Sequence, residues 1–383
     1  MTAFSALPGA VGDEHAISHF GQPLREQRML ERGRGIAELG DRVVVTLTGP
    51  ERLSWLHSIT SQSVAGLSVG VSTEFLILDV QGHVEHAASM IDDGVTSWLI
   101  VDRDDAQPLA AWLLKMRFRT QVEIEVRDDL AVYGFVSGGM GEKLMRAAQP
   151  LAIWDDPWGA VSIGGWQYAQ PASHPGAEFD WHEAIVTTEV AEKLARSLRD
   201  VVAAGTLAAD ALRIAAWRPR WSGEARDGRL LPHEADWLRS AVHLDKGCYR
   251  GQETVAKVHN LGHPPRRMVM LHLDGSDAVL PVAGGSVLSQ PADSGDGADS
   301  DAGTAPAEPR EVGTVTSVAM HHELGPIALA IVSRRVPADE TLLVDAGDTR
   351  ITAAQEIIVP SDAGATANVP RLTRLSRRPL AES

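Results

Sequence analysis

Residues 43–48 are rich in β-branched side chains and predict a strand, which Gly49-Pro50 breaks. Leu53, Leu56 and Ile59 then recur at helical spacing with Trp55 beside them. Three strand-like runs follow at 74–80, 83–91 and 95–101, joined by the turn signals Gln81-Gly82 and Asp92-Asp93-Gly94. Leu109, Trp112, Leu113 and Met116 share one face of the next helix, for which Asp104 or Asp105 is the expected cap. Residues 122–126 and 130–136 return to strand, and 142–148 to helix. A Trp- and Pro-rich stretch at 151–179 predicts short strands and turns, and 190–204 an amphipathic helix closed by Gly205. Strand pairs alternating with helices predict an α+β layer, an antiparallel sheet covered by helices on one face.

The pattern changes at Arg267. Runs at 267–273, 285–288, 312–320, 327–332, 341–344 and 351–359 are short strands at turn-rich spacing, with no helical period between them. They predict a small all-β barrel or sandwich. Residues 291–309 are rich in Asp, Ser, Gly, Ala and Pro and predict a disordered loop within it. The expected organisation is a loose N-terminus at 1–22, an α+β domain at 23–264, a β-barrel at 265–360 and a tail at 361–383.

Composition narrows the partners. The chain has 383 residues and a formal net charge of −16, which argues against broad nucleic-acid binding and against docking on an anionic membrane. No apolar run is long enough to span a bilayer. The N-terminus carries Asp13 and Glu14 in place of a basic, then apolar, leader. With a single cysteine, this predicts a reducing cytoplasm.

The candidate chemistry lies in one stretch. Between Arg213 and Arg267 stand eleven Lys or Arg against six Asp or Glu, the reverse of the whole chain. A cationic segment in an acidic protein suits a small anionic ligand; it equally suits a solvated basic face. Trp217, Trp221 and Trp237 add flat apolar faces there. Cys248, the lone cysteine, lies between Lys246 and Arg250, whose charges favour a thiolate. A solitary thiol builds neither a disulfide nor a cysteine cage for a metal. Its plain alternative is a small buried hydrophobe. His259 and His263 are separated by a Gly262 break, and His83 and His86 point to opposite faces of a strand, so no metal site is expected from them.

Leu212-Arg213-Ile214, Pro232-His233-Glu234, the run Lys246-Gly247-Cys248-Tyr249-Arg250-Gly251-Gln252-Glu253, His259-Asn260-Leu261-Gly262 and Pro264-Pro265-Arg266-Arg267 together resemble the YgfZ family. That family comprises folate-binding relatives of the glycine cleavage T-protein, an aminomethyltransferase. The resemblance covers residues 42–359 outside the 291–309 insertion. It implies ferredoxin-like α+β parts around a folate channel and a C-terminal β-barrel. It implies tetrahydrofolate or a one-carbon derivative as cofactor, and a role in the assembly, repair or maintenance of iron–sulfur proteins, including enzymes that modify transfer RNA. Its expected partners are iron–sulfur proteins or their assembly factors.

The resemblance assigns Cys248 and Lys246 to the chemistry, and Glu85 in place of the carboxylate that follows a glycine turn in T-proteins. Arg213, Trp217, Asp227, Glu234, Arg250 and Arg267 become the expected folate contacts, with the cations holding the glutamate tail. Two departures stand out. The family's L-R-x-E-A-G run reads Leu212-Arg213-Ile214-Ala215-Ala216-Trp217, so the pterin-holding glutamate is Ala215. Glu224, Asp227 or Glu234 are the expected substitutes. T-proteins lack the cysteine at position 248, which argues against glycine cleavage. Three functions follow: a folate-dependent iron–sulfur accessory protein, a folate-dependent one-carbon transferase, and a noncatalytic interaction factor.

Overall fold

The computed structural model describes residues 2–276, 279–289 and 309–367. Two five-stranded sheets and a closed six-stranded barrel make up its frame. The hydrophobic run at 74–101 folds as the meander Ser72–Leu78, Val84–Asp92 and Thr96–Asp102. Arg42–Thr48 and Glu123–Arg127 extend it, all pairs antiparallel. The helix Arg103–Arg117 covers this sheet, burying Leu109 and Leu113 against Val45, Leu99 and Val101. Asp102 holds its N-cap position without a side-chain cap bond. The expected cap Asp105 instead turns inward, its carboxylate 2.6 Å from His86 Nδ1.

The other sheet runs Ala152–Asp155, Trp181–Thr187, Leu130–Val136, Gly35–Glu38 and Val202–Ala204. Its last pair is parallel. Here the expected helix at 190–204 is corrected. The helix stops at Ser197, and Val202–Ala204 pairs with Gly35–Glu38. Val201 and Val202 are β-branched and favour the strand. Gly205 is therefore the N-cap residue of the next helix, Thr206–Ala215, which the hydrophobic pattern did not separate. The expected loose start is corrected too. Phe4 is fully buried, and the Glu38 carboxylate accepts the Ala3 and Phe4 backbone N–H groups at 2.8 and 2.9 Å.

The barrel is legible strand for strand. Arg266–Leu273, Ser286–Ser289, Arg310–His321, Gly325–Ser333, Leu342–Ala346 and Thr349–Ile357 close in the order first, fourth, third, second, fifth, sixth. Alternate residues such as Val269, Leu271, Ala328, Ala330, Val332, Val344 and Ile351 fill its interior. Of the expected loop at 291–309, only Pro309 is among the described residues; of the tail, 368–383 lie outside them.

A third core fills the junction of the three parts. It joins Leu76 and Leu78 of the meander, Trp158, Trp217 and Trp237 of the connecting loops, and Met268, Leu329 and Ile331 of the barrel. Trp154 Nε1 donates to Thr73 O at 2.7 Å and ties one sheet to the other. Arg213 Nη2 donates to Ser317 Oγ at 2.8 Å and ties the barrel to the helix Thr206–Ala215. A cavity opens at this junction, and the Cys248 loop lies beside the same core.

Candidate functional site

The Cys248 loop connects the short helix Leu238–Ala241 to the helix Gln252–Leu261. Two glycines shape it in different ways. Gly251 has φ +83° and packs against the Gly82 turn; a Cβ there would sit 2.6 Å from Asp79 O. It is a position for glycine on both counts. Gly247 faces open space, and Cys248 beside it is exposed. The thiol is thus not the buried hydrophobe of the plain alternative.

Lys246 is buried and donates from Nζ to three carbonyls: His57 at 2.5 Å, Thr60 at 2.6 Å and Gln62 at 3.0 Å. These close the C-terminal end of the helix Arg52–Ile59, where a cation also answers the helix dipole. Burial pushes the ammonium down to about 8. Nζ stands 5.1 Å from the Tyr249 ring centre, and Gln252 Nε2 donates to Lys246 O at 3.3 Å. Arg250 holds the Glu85 carboxylate through both terminal nitrogens, at 2.6 and 3.3 Å. The expected cations of the motif are therefore committed to Lys246–carbonyl and Arg250–Glu85 contacts. Tyr249 is buried, while Glu253 is exposed in the first helical turn.

This geometry makes Lys246 an anchor for the loop. Lys246→Ala leaves three carbonyls without their donor and is expected to cost about 1–3 kcal/mol. Urea denaturation reads this directly; a residue with a purely catalytic role would leave stability unchanged.

The cavity lies between the sheets and the helix Thr206–Ala215 and encloses about 650 Å³, mouth included. Its walls carry charge in pairs. Arg218 donates to Glu74 at 2.8 Å and to Asp156 at 2.9 Å. Arg42 contacts Asp102 at 3.1 Å and Glu183 at 3.3 Å; Arg220 reaches Asp102 at 2.5 Å and Asp41 at 2.7 Å. Burial works against Asp102, but Arg220 and Arg42 outweigh it and hold its carboxyl well below the usual range. Burial, with Glu74 beside it, pushes Asp156 up against the pull of Arg218. Among the described residues, Glu74 Oε1 and Arg218 Nη1 are buried without hydrogen-bond partners. An acceptor and a donor are thus left for whatever enters. Aromatic faces complete the walls: Phe179 and Trp181 stacked at 5.7 Å and 7°, Trp154, Trp221 and Trp237.

The expected ligand contacts divide sharply. Arg213 lines the cavity, spanning Asp210 at 2.7 Å and Ser317. Trp217 is buried in the adjoining core at φ +60°, and its ring meets His174 edge-on. Asp227 is exposed at the barrel's rim. Glu234 is fully buried and accepts from Leu231 N and Arg266. Arg267 lies inside the barrel's end, donating to Val336 O at 3.0 Å. Glu85 faces Arg250 outside the cavity lining. Glu224 binds Ser317, Thr316 and the Arg220 N–H. The suggested substitutes for a glutamate at Ala215 are therefore engaged elsewhere.

The carboxylates that do line the cavity, Glu74, Asp102, Asp156, Glu183 and Asp210, were not singled out by sequence. One signal was available: Glu74 is a charge directly ahead of the apolar, buried run Phe75-Leu76-Ile77-Leu78 of its strand.

Compared with models of known protein families, the chain matches none. It is 24% identical to an aminomethyltransferase of Xanthomonas axonopodis pv. citri (strain 306) over 276 residues, 67% of this chain and 72% of that one. An aminomethyltransferase of Stenotrophomonas maltophilia (strain R551-3) is 25% identical over 276 residues, 67% and 71% of the two chains. The crystal structure of glycine cleavage system aminomethyltransferase T from Bartonella henselae superposes with a TM-score of 0.70 at 16% identity, covering 93% of this chain and 95% of that one. The fold is that of an aminomethyltransferase T. The expected α+β body with its closed C-terminal barrel is thereby shown. Among the described residues, no helix is long and apolar enough to cross a membrane.

Proposed function

We propose that this chain binds a reduced folate in the central cavity and serves the assembly, repair or maintenance of iron–sulfur proteins. Cys248 is its working thiol. The observation that carries the proposal is an exposed Cys248 on a loop fixed at both sides, by Lys246 to the helix Arg52–Ile59 and by Arg250 to Glu85. A structural cysteine needs no such presentation.

The cavity supports the cofactor. A pterin edge carries adjacent donors and an acceptor, which complement Glu74 Oε1 and Arg218 Nη1. The Trp181, Trp221 and Trp237 rings offer faces for the flat heterocycle. Glu74 thereby takes the part that Ala215 cannot. Bound folate supplies a one-carbon unit or its acceptor; the chain's residues orient it and exclude water.

The thiol and the folate divide the work. Cys248 serves as a transient ligand, a sulfur carrier or an acceptor of a reactive one-carbon unit. One thiolate is too few for a stable cluster, so the client or its assembly factor completes the coordination. The reading as a one-carbon transferase is favoured by the names of the relatives. Against it stands Glu85, whose carboxylate is already held by Arg250. The test is complementation. Iron–sulfur enzyme activities are measured in a strain lacking this protein, with and without the chain restored. Recovery supports the proposal; unchanged activities in the deletion strain would remove it.

A further inference from the structure

A second candidate site lies away from both the cavity and the thiol. Glu31 is the last residue of the helix Pro23–Glu31. His322 and Glu323 open the turn between the barrel strands Arg310–His321 and Gly325–Ser333. One ligand atom from each of the three lies within 4.8 Å of the others. We propose that these residues bind a divalent first-row transition ion, with Zn²⁺ as the best match, which clips the barrel to the N-terminal helix.

Several observations converge on this assignment. The His322 side chain is only 2% exposed; among the described residues neither ring nitrogen meets hydrogen-bond geometry, and Nε2 faces only the Glu31 carboxylate. A buried imidazole with so little hydrogen bonding is costly, and a metal held between it and the carboxylates is one of the few partners that satisfies it. Its Nε2 stands 3.1 Å from Glu31 Oε2, close to the separation of two ligands on one zinc ion. Among the described residues, no Lys or Arg forms an ion pair with Glu31 or Glu323. The C-terminal end of a helix adds its own negative field at Glu31.

The site is also held rigid. Gln27, one turn before Glu31, donates from Nε2 to Met320 O at 2.8 Å and accepts the His322 N–H at 2.9 Å. His321 Nδ1 accepts the Glu323 and Leu324 N–H groups at 3.2 and 3.1 Å and fixes the turn. Both elements that carry ligands are therefore positioned before any ion arrives, which is what a selective site needs. One imidazole and two carboxylates suit zinc, with water at the fourth position; the imidazole disfavours magnesium and calcium. The ligands come from opposite ends of the sequence, so ion binding couples to docking of the barrel.

The test is titration of the full chain with ZnCl₂ by calorimetry in a non-chelating buffer, with Co²⁺ absorption as a second reading. One ion per chain is expected, with affinity reduced at least tenfold in His322→Ala and in Glu31→Gln, and unchanged in Cys248→Ser. The melting temperature should rise with Zn²⁺ in the wild type and not in Glu31→Gln. Glu31 and Glu323 are exposed, so Glu31→Gln and Glu323→Gln keep the test valid if His322→Ala misfolds. Absence of saturable binding overturns the proposal. So does binding that Cys248→Ser abolishes and the three site variants leave intact.

Discussion

Cys248→Ser should abolish the cellular function while leaving the molecule otherwise intact. The side chain is exposed, neighbours an open Gly247, and contributes to none of the buried cores. Surface substitutions of this kind stay within about 0.5 kcal/mol. In a domain of this size that is a shift of about 1–2 °C in melting temperature. Folate binding should also be unchanged, because the cavity lies between the sheets and its lining does not include the loop. A strain carrying the variant should therefore match the deletion strain in iron–sulfur enzyme activity, with normal levels of folded protein. Full rescue by Cys248→Ser would remove the thiol from the mechanism and leave the loop as a recognition element.

Arg218→Met should be the most damaging single change to stability. Arg218 is buried between Glu74 and Asp156, with its guanidinium also near the Trp158 ring at 5.3 Å. Removing it leaves two buried carboxylates facing each other. Breaking a buried ion pair from one side costs about 3–5 kcal/mol. The sign of the pH dependence follows. Without the cation, the folded state binds a proton at the carboxylate pair more tightly than the unfolded chain does, so stability is recovered as pH falls. Urea denaturation should show a larger deficit at pH 8 than at pH 5. An equal deficit at both would mean that Arg218 acts by packing alone.

The barrel and the meander were readable in the sequence because their strands are short apolar or β-branched runs, most of them set apart by turn signals. Asp92-Asp93-Gly94 is such a turn, and Leu342–Ala346 alternates buried and half-buried along its length. Gly35–Glu38 and Val202–Ala204 were not readable. They are short, pair in parallel across more than 160 residues, and carry no alternation of buried and exposed positions, so no local pattern announces them. The same holds for the site. The motif around Cys248 is contiguous, and its residues stay together in the structure. The cavity is assembled from Glu74 on one sheet, Trp181 on the other and Arg218 on a connection between them, and only strand pairing brings these together. The basic stretch also misled in one respect. Lys246, Arg218, Arg220, Arg239 and Arg267 lie inward, where most meet carboxylates or carbonyls, so much of that charge is hidden, while Arg226, Arg229 and Lys257 remain exposed.

Tryptophan fluorescence during anaerobic titration with tetrahydrofolate tests the central claim most directly, since Trp181, Trp221 and Trp237 line the cavity. Saturable quenching with one ligand per chain is predicted, with affinity weakened at least tenfold in Glu74→Gln and unchanged in Cys248→Ser. No saturation up to high micromolar tetrahydrofolate, or binding indifferent to Glu74→Gln, would contradict the account.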